Sequence, residues 1–155
     1  MYPQTHFLFP FFLAEILVSF GYLNHWQALI AGLVGMLIDL DHPIEYALIK
    51  KKFSWREAWN NSVVTHKVEG RTFIHHLYGF LLFTTLCLIL VFFYWKISLI
   101  IFLGYHSHIL LDYLHLHFLE KKLKFKEFGF IFRIPRYEAV INLLLIIGIV
   151  LLIVL

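Results

Sequence analysis

Apolar residues in this chain run in blocks, separated by short polar connections. The first block is 7–23, interrupted by Pro10 and Glu15, and only Asn24 and His25 divide it from the next. The second is 26–40 and extends past Pro43 toward residue 49. A polar segment, 50–72, precedes the third block at 73–95. Lys96 punctuates, the fourth block runs over 97–118, a basic segment covers 120–136, and the fifth block is 137–155. A helix rises about 1.5 Å per residue and needs about 20 residues to cross a hydrocarbon layer of about 30 Å. The third, fourth and fifth blocks meet that length, whereas polar groups cut into the first two. Backbone groups in lipid must satisfy one another, so each block is expected to be a helix. The pattern therefore predicts an all-α integral membrane bundle of about five transmembrane helices. Trp55 and Trp59 give the 50–72 segment the character of an interfacial helix.

Composition sharpens that picture. The chain has 155 residues, 61% of them hydrophobic and 15% charged, with a mean hydropathy of +0.78. A water-soluble fold of this size leaves too much surface exposed to hide so much apolar area. Soluble enzymes, disordered chains and collagen-like chains are excluded, and the lone Cys87 excludes a disulfide scaffold and a thiolate zinc cluster. A single membrane-embedded domain over 1–155 is expected. No cleavable leader is expected, because no positive segment precedes the first block. The Lys and Arg residues concentrate in 50–72 and 120–136, which lie on one side of a five-span topology. The positive-inside rule then makes both segments and the N-terminus cytoplasmic, in a multi-pass protein of the cell membrane.

The chemistry lies in the polar residues near these blocks. There are 10 His and three Asp, the latter being Asp39, Asp41 and Asp112. Ionisable groups at membrane depth are costly unless paired, metal-bound or in a wet cavity. Span order and charge bias place His6, Asp39, Asp41, His42, His75, His108 and Asp112 in one slab on the cytoplasmic side. His108 and Asp112 are four apart and share a helix face. Asp39 and Asp41 are two apart, about 200° around a regular helix, so they converge only if the chain becomes irregular near Pro43. His nitrogens and Asp oxygens are ligands for Zn2+, Mn2+ or Fe2+. Seven candidates exceed one ion's needs and predict two divalent ions, Zn2+ favoured, or ligands with supporting partners. His25, His66 and His117 read as interfacial residues, while His76 and His115 stay open between ligand and packing roles. Glu15 lies about 13 Å deeper than His6 on a straight helix. It is a candidate general base or supporting carboxylate, or else a hydrogen-bonded structural acid.

At these residues the chain resembles the LexA-regulated, membrane-bound metal-dependent hydrolase family. Thr5-His6 matches that family's N-terminal Thr-His, and Gly35 followed by Asp39-Leu40-Asp41-His42 matches its Asp-x-Asp-His block. Arg71 and Ile74-His75-His76 stand where the family has an Arg and then Thr-His-Ser. Gly104-Tyr105-His106-Ser107-His108 and Asp112 match its Gly-x-x-Ser-His-x-x-x-Asp. The departures fall in the third block, at Gly70, Ile74 and His76. The resemblance implies a hydrolase.

The expected function is metal-dependent hydrolysis, by a metal-activated water, of a phosphoester in a lipid or amphipathic substrate at the cytoplasmic interface. Asp39 or Asp41 would take a proton, and Arg71 would hold the anionic headgroup. Membrane lipid is then both solvent and substrate. The basic and aromatic 120–136 segment suits anionic lipid, and no nucleic-acid partner is expected. The rivals are an amide or ester hydrolase and a metal transporter or sensor. Transport calls for ligands near the midplane with access from both faces.

Overall fold

The computed structural model describes residues 1–51, 54, 73–115, 127–128 and 134–154. The 50–72 and 120–136 expectations, with Arg71, His66 and His117, lie mostly or wholly outside the described residues. Of His42 only the backbone is described.

The chain opens with α1, Pro3–Ser19, whose Pro3 stands in the first turn, where its missing N–H costs nothing. Pro10 inside α1 removes the hydrogen bond that would reach the carbonyl of His6. The helix stops where Gly21 takes φ +78° and the N–H groups of Tyr22 and Leu23 fold back to the Leu17 carbonyl. Asn24 starts α2, His25–Leu37, through a capping box. Its side chain accepts from Gln27 N at 2.9 Å, and Gln27 Oε1 accepts from Asn24 N at 3.0 Å. This short capped turn makes α1 and α2 a helical hairpin.

Small residues decide how closely the helices meet. Ala28, Ala31, Gly32 and Gly35 are the buried face of α2. A Cβ at Gly35 would strike the backbone oxygen of His6 and come within 2.7 Å of Pro10 Cγ. A Cβ at Gly104 would lie 2.5 Å from Val34 Cγ1. The core accordingly consists of Ala14, Leu23, Ala28, Ala31 and Ile100, with Phe11, Val34 and Leu103 packed around it.

After α2 a 3-10 turn at Ile38–Leu40 leads into α3, Asp41–Lys50. The irregularity expected at Pro43 thus falls just before it, and Pro43 sits in the first turn of α3, where no backbone donor is needed. A second 3-10 turn, Phe73–His75, precedes α4, Leu77–Leu114. This 38-residue run has non-helical dihedrals at Tyr94, φ −142° and ψ 61°. A straight helix of that length would measure about 57 Å, yet residues from its two ends touch. Ser98 Oγ donates to Cys87 O at 2.7 Å, the Phe83 and Tyr105 rings stack at 4.4 Å, and Tyr105 OH donates to Ile74 O at 2.6 Å. The arms 77–93 and 95–114 are therefore antiparallel, hinged at Tyr94. The last helix, α5, is Arg136–Val154. Glu138 meets Tyr2 and Thr5, and Gly148 packs on Phe12, so α5 runs parallel to α1. The β structure among the described residues is one antiparallel ladder of Glu127–Phe128 (β1) with Ile134–Pro135 (β2).

Two helices among the described residues, Leu77–Leu114 and Tyr137–Val154 within α5, are long and apolar enough to cross a membrane, against the five spans expected from hydropathy. The first two blocks fall short because the Gly21–Asn24 turn ends α1 after 17 residues and the 3-10 turn at Ile38–Leu40 ends α2 after 13, whereas Glu15 lies within α1 without interrupting it. The third and fourth form one helical run, since Lys96 does not interrupt it and the break is at Tyr94.

Candidate metal centre

Four segments deliver imidazoles and carboxylates to one place. His6 comes from the first turns of α1, Asp39 from the 3-10 turn after α2, His75 from the turn before α4, and His108 and Asp112 from its second arm. The Gly35 contact seats α1 against α2, and the Gly104 contact seats α2 against α4. The reversal at Tyr94 returns residue 108 to the level of residue 75.

Donor atoms face one another at short range. His75 Nε2 and His108 Nε2 are 3.0 Å apart. His6 Nε2 lies 3.1 Å from Asp112 Oδ1, and Asp112 Oδ2 lies 3.4 Å from His108 Nε2 and 3.6 Å from His75 Nε2. Asp39 Oδ1 is 3.6 Å from His108 Nε2, and its Oδ2 is 4.0 Å from His6 Nε2. Two overlapping groups gather three donors close enough to hold one metal ion: His6 with His108 and Asp112, and Asp39 with His75 and His108. Donors about 2.0–2.2 Å from one tetrahedral ion stand about 3.3–3.6 Å from each other, and the separations here, 3.0 to 4.0 Å, bracket that range. His6 and His108 are fully buried and stacked at 3.9 Å. His6 Nδ1 and Asp39 Oδ2 have no hydrogen-bond partner among the described residues, while His6 Nε2 has the ion-pair contact with Asp112. A buried polar atom without a partner is expensive unless a ligand completes it.

Supporting contacts fix the ring orientations. His108 Nδ1 stands 2.8 Å from the Gly35 carbonyl, which can only accept, so Nδ1 carries a proton and Nε2 is the atom that faces the cluster. Asp41 Oδ2 is 3.1 Å from His75 Nδ1 and plays the corresponding part there. Asp41 thus stands behind His75, while Asp39 enters the donor set directly. Tyr105, nearly fully buried, grips the Ile74 carbonyl beside His75.

Other candidates lie elsewhere. Glu15 is buried at the far end of α1, where its Oε2 meets His25 Nδ1 at 2.9 Å, so the structure separates it from the cluster. His115 pairs with Tyr137 OH at 2.9 Å, and His106 with Thr84 at 2.9 Å. The N-terminal ammonium of Met1 lies 3.2 Å from Asp112 Oδ1. Sequence reasoning missed Glu138 and Asn142, which hold the start of α1. Their signal was available: two polar residues four apart in an otherwise apolar helix share a face.

A family model described as YdjM inner membrane protein matches residues 1–117, which include every member of the cluster. The chain belongs to the YdjM inner membrane protein family. No curated protein and no solved structure matches it. The match agrees with the motif resemblance as far as an inner membrane family, and with the apolar helices it assigns a membrane location. Of the YdjM family chain's helices, α5 lies beyond the matched region.

Proposed function

We propose that this YdjM family chain is a five-pass, membrane-embedded, metal-dependent hydrolase acting on a lipid phosphoester at the cytoplasmic interface. The observation that carries the reading is the convergence of His6, His75, His108, Asp39 and Asp112 within ion-pair distance of one another, with His6 Nδ1 and Asp39 Oδ2 buried without a hydrogen-bond partner among the described residues. His6, His108 and Asp112 would hold a divalent ion, Zn2+ favoured, with Asp39 and His75 beside it. The sequence expectation was two ions. The two donor groups share His108 Nε2, which has one lone pair, and that favours a single ion at the core.

A divalent ion there supplies Lewis acidity and makes water easier to deprotonate near neutral pH. Asp39 Oδ2, buried without a hydrogen-bond partner among the described residues, would accept a proton from the attacking water. Water oxygen bonds to phosphorus, the lipid alkoxide leaves, and the proton held by Asp39 goes to that alkoxide. Asp41 keeps His75 in orientation. Arg71 is assigned to the anionic headgroup from its sequence position.

Five passes are supported by the alignment of helix ends. α1, α2, both arms of α4, and α5 each run between the cluster level and the opposite end. The turns at that opposite end expose Phe20, Tyr22, Trp26, Phe92, Phe93, Tyr94 and Trp95. Aromatic residues of this kind favour a membrane–water interface.

The test is turnover of phosphoester lipids beside neutral ester and amide lipids of matched chain length, with metal-loaded and chelator-treated protein in detergent or vesicles. Metal-dependent phosphoester cleavage, lost in Asp39→Ala and His108→Ala, is expected. Cleavage of neutral amides or esters alone would replace the substrate class. No turnover of any lipid, with metal flux into liposomes, would replace the enzyme by a transporter.

A further inference from the structure

α1 lacks two ordinary stabilisers of a helix start. Its N-cap residue, Tyr2, makes no side-chain cap, and its first turn has no acidic residue. A carboxylate from the other end of the chain stands there instead and accepts the N-cap residue's own N–H, as the Glu of a capping box does. Glu138 Oε1 accepts the Tyr2 N–H at 2.6 Å and the Thr5 hydroxyl at 2.6 Å. The Thr5 hydroxyl also lies 2.9 Å from Asn142 Oδ1, so its one proton is shared between two acceptors on α5. Glu138 and Thr5 are fully buried, and Asn142 is nearly so. A carboxylate at the positive end of a helix is favourable, more so where water is excluded. Thr5 precedes His6 directly, so whatever fixes the first turn of α1 also fixes the approach of His6 to Asp112.

We propose that Glu138, with Asn142, is a positioning residue that caps α1 from α5 and so holds His6 at the metal centre. The inference rests on the metal-centre part of the reading above and is independent of hydrolysis. Both α5 residues lie beyond the 1–117 region matched by the family, so this part of the centre comes from outside that region.

The experiment is Co2+ titration of the purified full chain in detergent, followed by its visible absorption bands. Glu138→Ala is expected to weaken Co2+ binding about 10–100-fold, the usual effect of removing a residue that supports a ligand. Glu138→Gln keeps a carbonyl acceptor for the Tyr2 and Thr5 donors and should recover most of that loss. Thr5→Val, which keeps the shape and removes the hydroxyl, should move with Glu138→Ala and serves if that variant does not fold. In a His6→Ala background, Glu138→Ala should cause no further loss, because the ligand it positions is gone. A purely structural role would weaken both backgrounds equally. Equal losses, or unchanged binding in Glu138→Ala, overturn the inference. Wild-type protein that binds no Co2+ overturns the metal reading and this inference with it. Wild-type protein that binds Co2+ but cleaves no lipid overturns the hydrolase alone.

Discussion

The most constrained side chain in the cluster is His108. Its Nδ1 is committed to the Gly35 carbonyl and its Nε2 faces His75, Asp39 and Asp112. Removing it takes away the donor common to both metal-binding groups. His108→Ala is therefore expected to abolish bound transition metal, measured by elemental analysis of gently purified protein. His25→Ala should leave it unchanged, since His25 pairs with Glu15 at the other end of α1. Gly35 is the backbone counterpart of His108. A methyl group there meets the His6 carbonyl and Pro10, so Gly35→Ala should push α1 from α2. About 1–3 kcal/mol of destabilisation is expected from such overpacking, read as a lower thermal midpoint in detergent, together with weaker metal binding. Stability lost with metal affinity intact would show that this contact is packing only. Much of the site was legible in the chain. The four-residue step from His108 to Asp112 puts both on one helix face, and Asp39 and Asp41, two of the three Asp, mark the second contributing segment. The pairing of Tyr2 with Glu138, and of Gly35 with His108, joins residues 136 and 73 positions apart. Local spacing has no record of such contacts.

Among the elements, α4 shows where hydropathy reading works and where it stops. Lys96 divides two apolar blocks, and the chain does reverse close by, but the departure from helical dihedrals is at Tyr94. Hydropathy registers charge. The reversal depends on what the two arms make of each other, including the buried Ser98–Cys87 bond and the Phe83–Tyr105 stack. The second block shows the same limit. Its apolar run reads on past Pro43, whereas the helix breaks at Ile38–Leu40, where a regular helix would turn Asp39 and Asp41 to different sides. Folding back of α4 gives a direct test. Thr84 Oγ1 and His106 Nε2 are 2.9 Å apart across 22 positions, whereas a straight helix would separate them by about 33 Å. Thr84→Cys with His106→Cys, in a Cys87→Ser background, should be joined within one chain by a short bismaleimide. Protection of both cysteines after brief reaction, followed by modification with a maleimide and mass analysis, counts the cross-linked fraction. A negligible fraction would mean that α4 is straight, and the cluster could not then assemble from His75 and His108.

For the molecule as a whole, the proposed chemistry depends on which face of the membrane holds the cluster. The helix ends divide into two levels. His6, Asp39, His75, Asp112 and Glu138 mark one, while the Gly21–Asn24 turn and the Tyr94 reversal mark the other. Exposed aromatic rings occur at both levels, Phe73, Tyr78 and Tyr113 at the first and those of the two turns at the second, as at the two interfaces of a membrane. On the proposed reading the orientation rests on charge bias in the sequence, since the basic segments 50–72 and 120–136 would stay cytoplasmic. Single cysteines can be placed at Tyr22, Lys52, Lys96 and Lys124 in a Cys87→Ser background and probed in intact cells with a membrane-impermeant maleimide. Tyr22→Cys and Lys96→Cys should label from outside, and Lys52→Cys and Lys124→Cys only after the cells are opened. The reverse pattern would turn the cluster outward and remove the cytoplasmic lipid headgroup as substrate. Labelling of Tyr22→Cys and Lys52→Cys from the same side would break the alternation itself. α1, α2 and the 50–72 connection could not then be successive passes and their link, and His6 and Asp39 would have to reach the cluster without crossing the membrane.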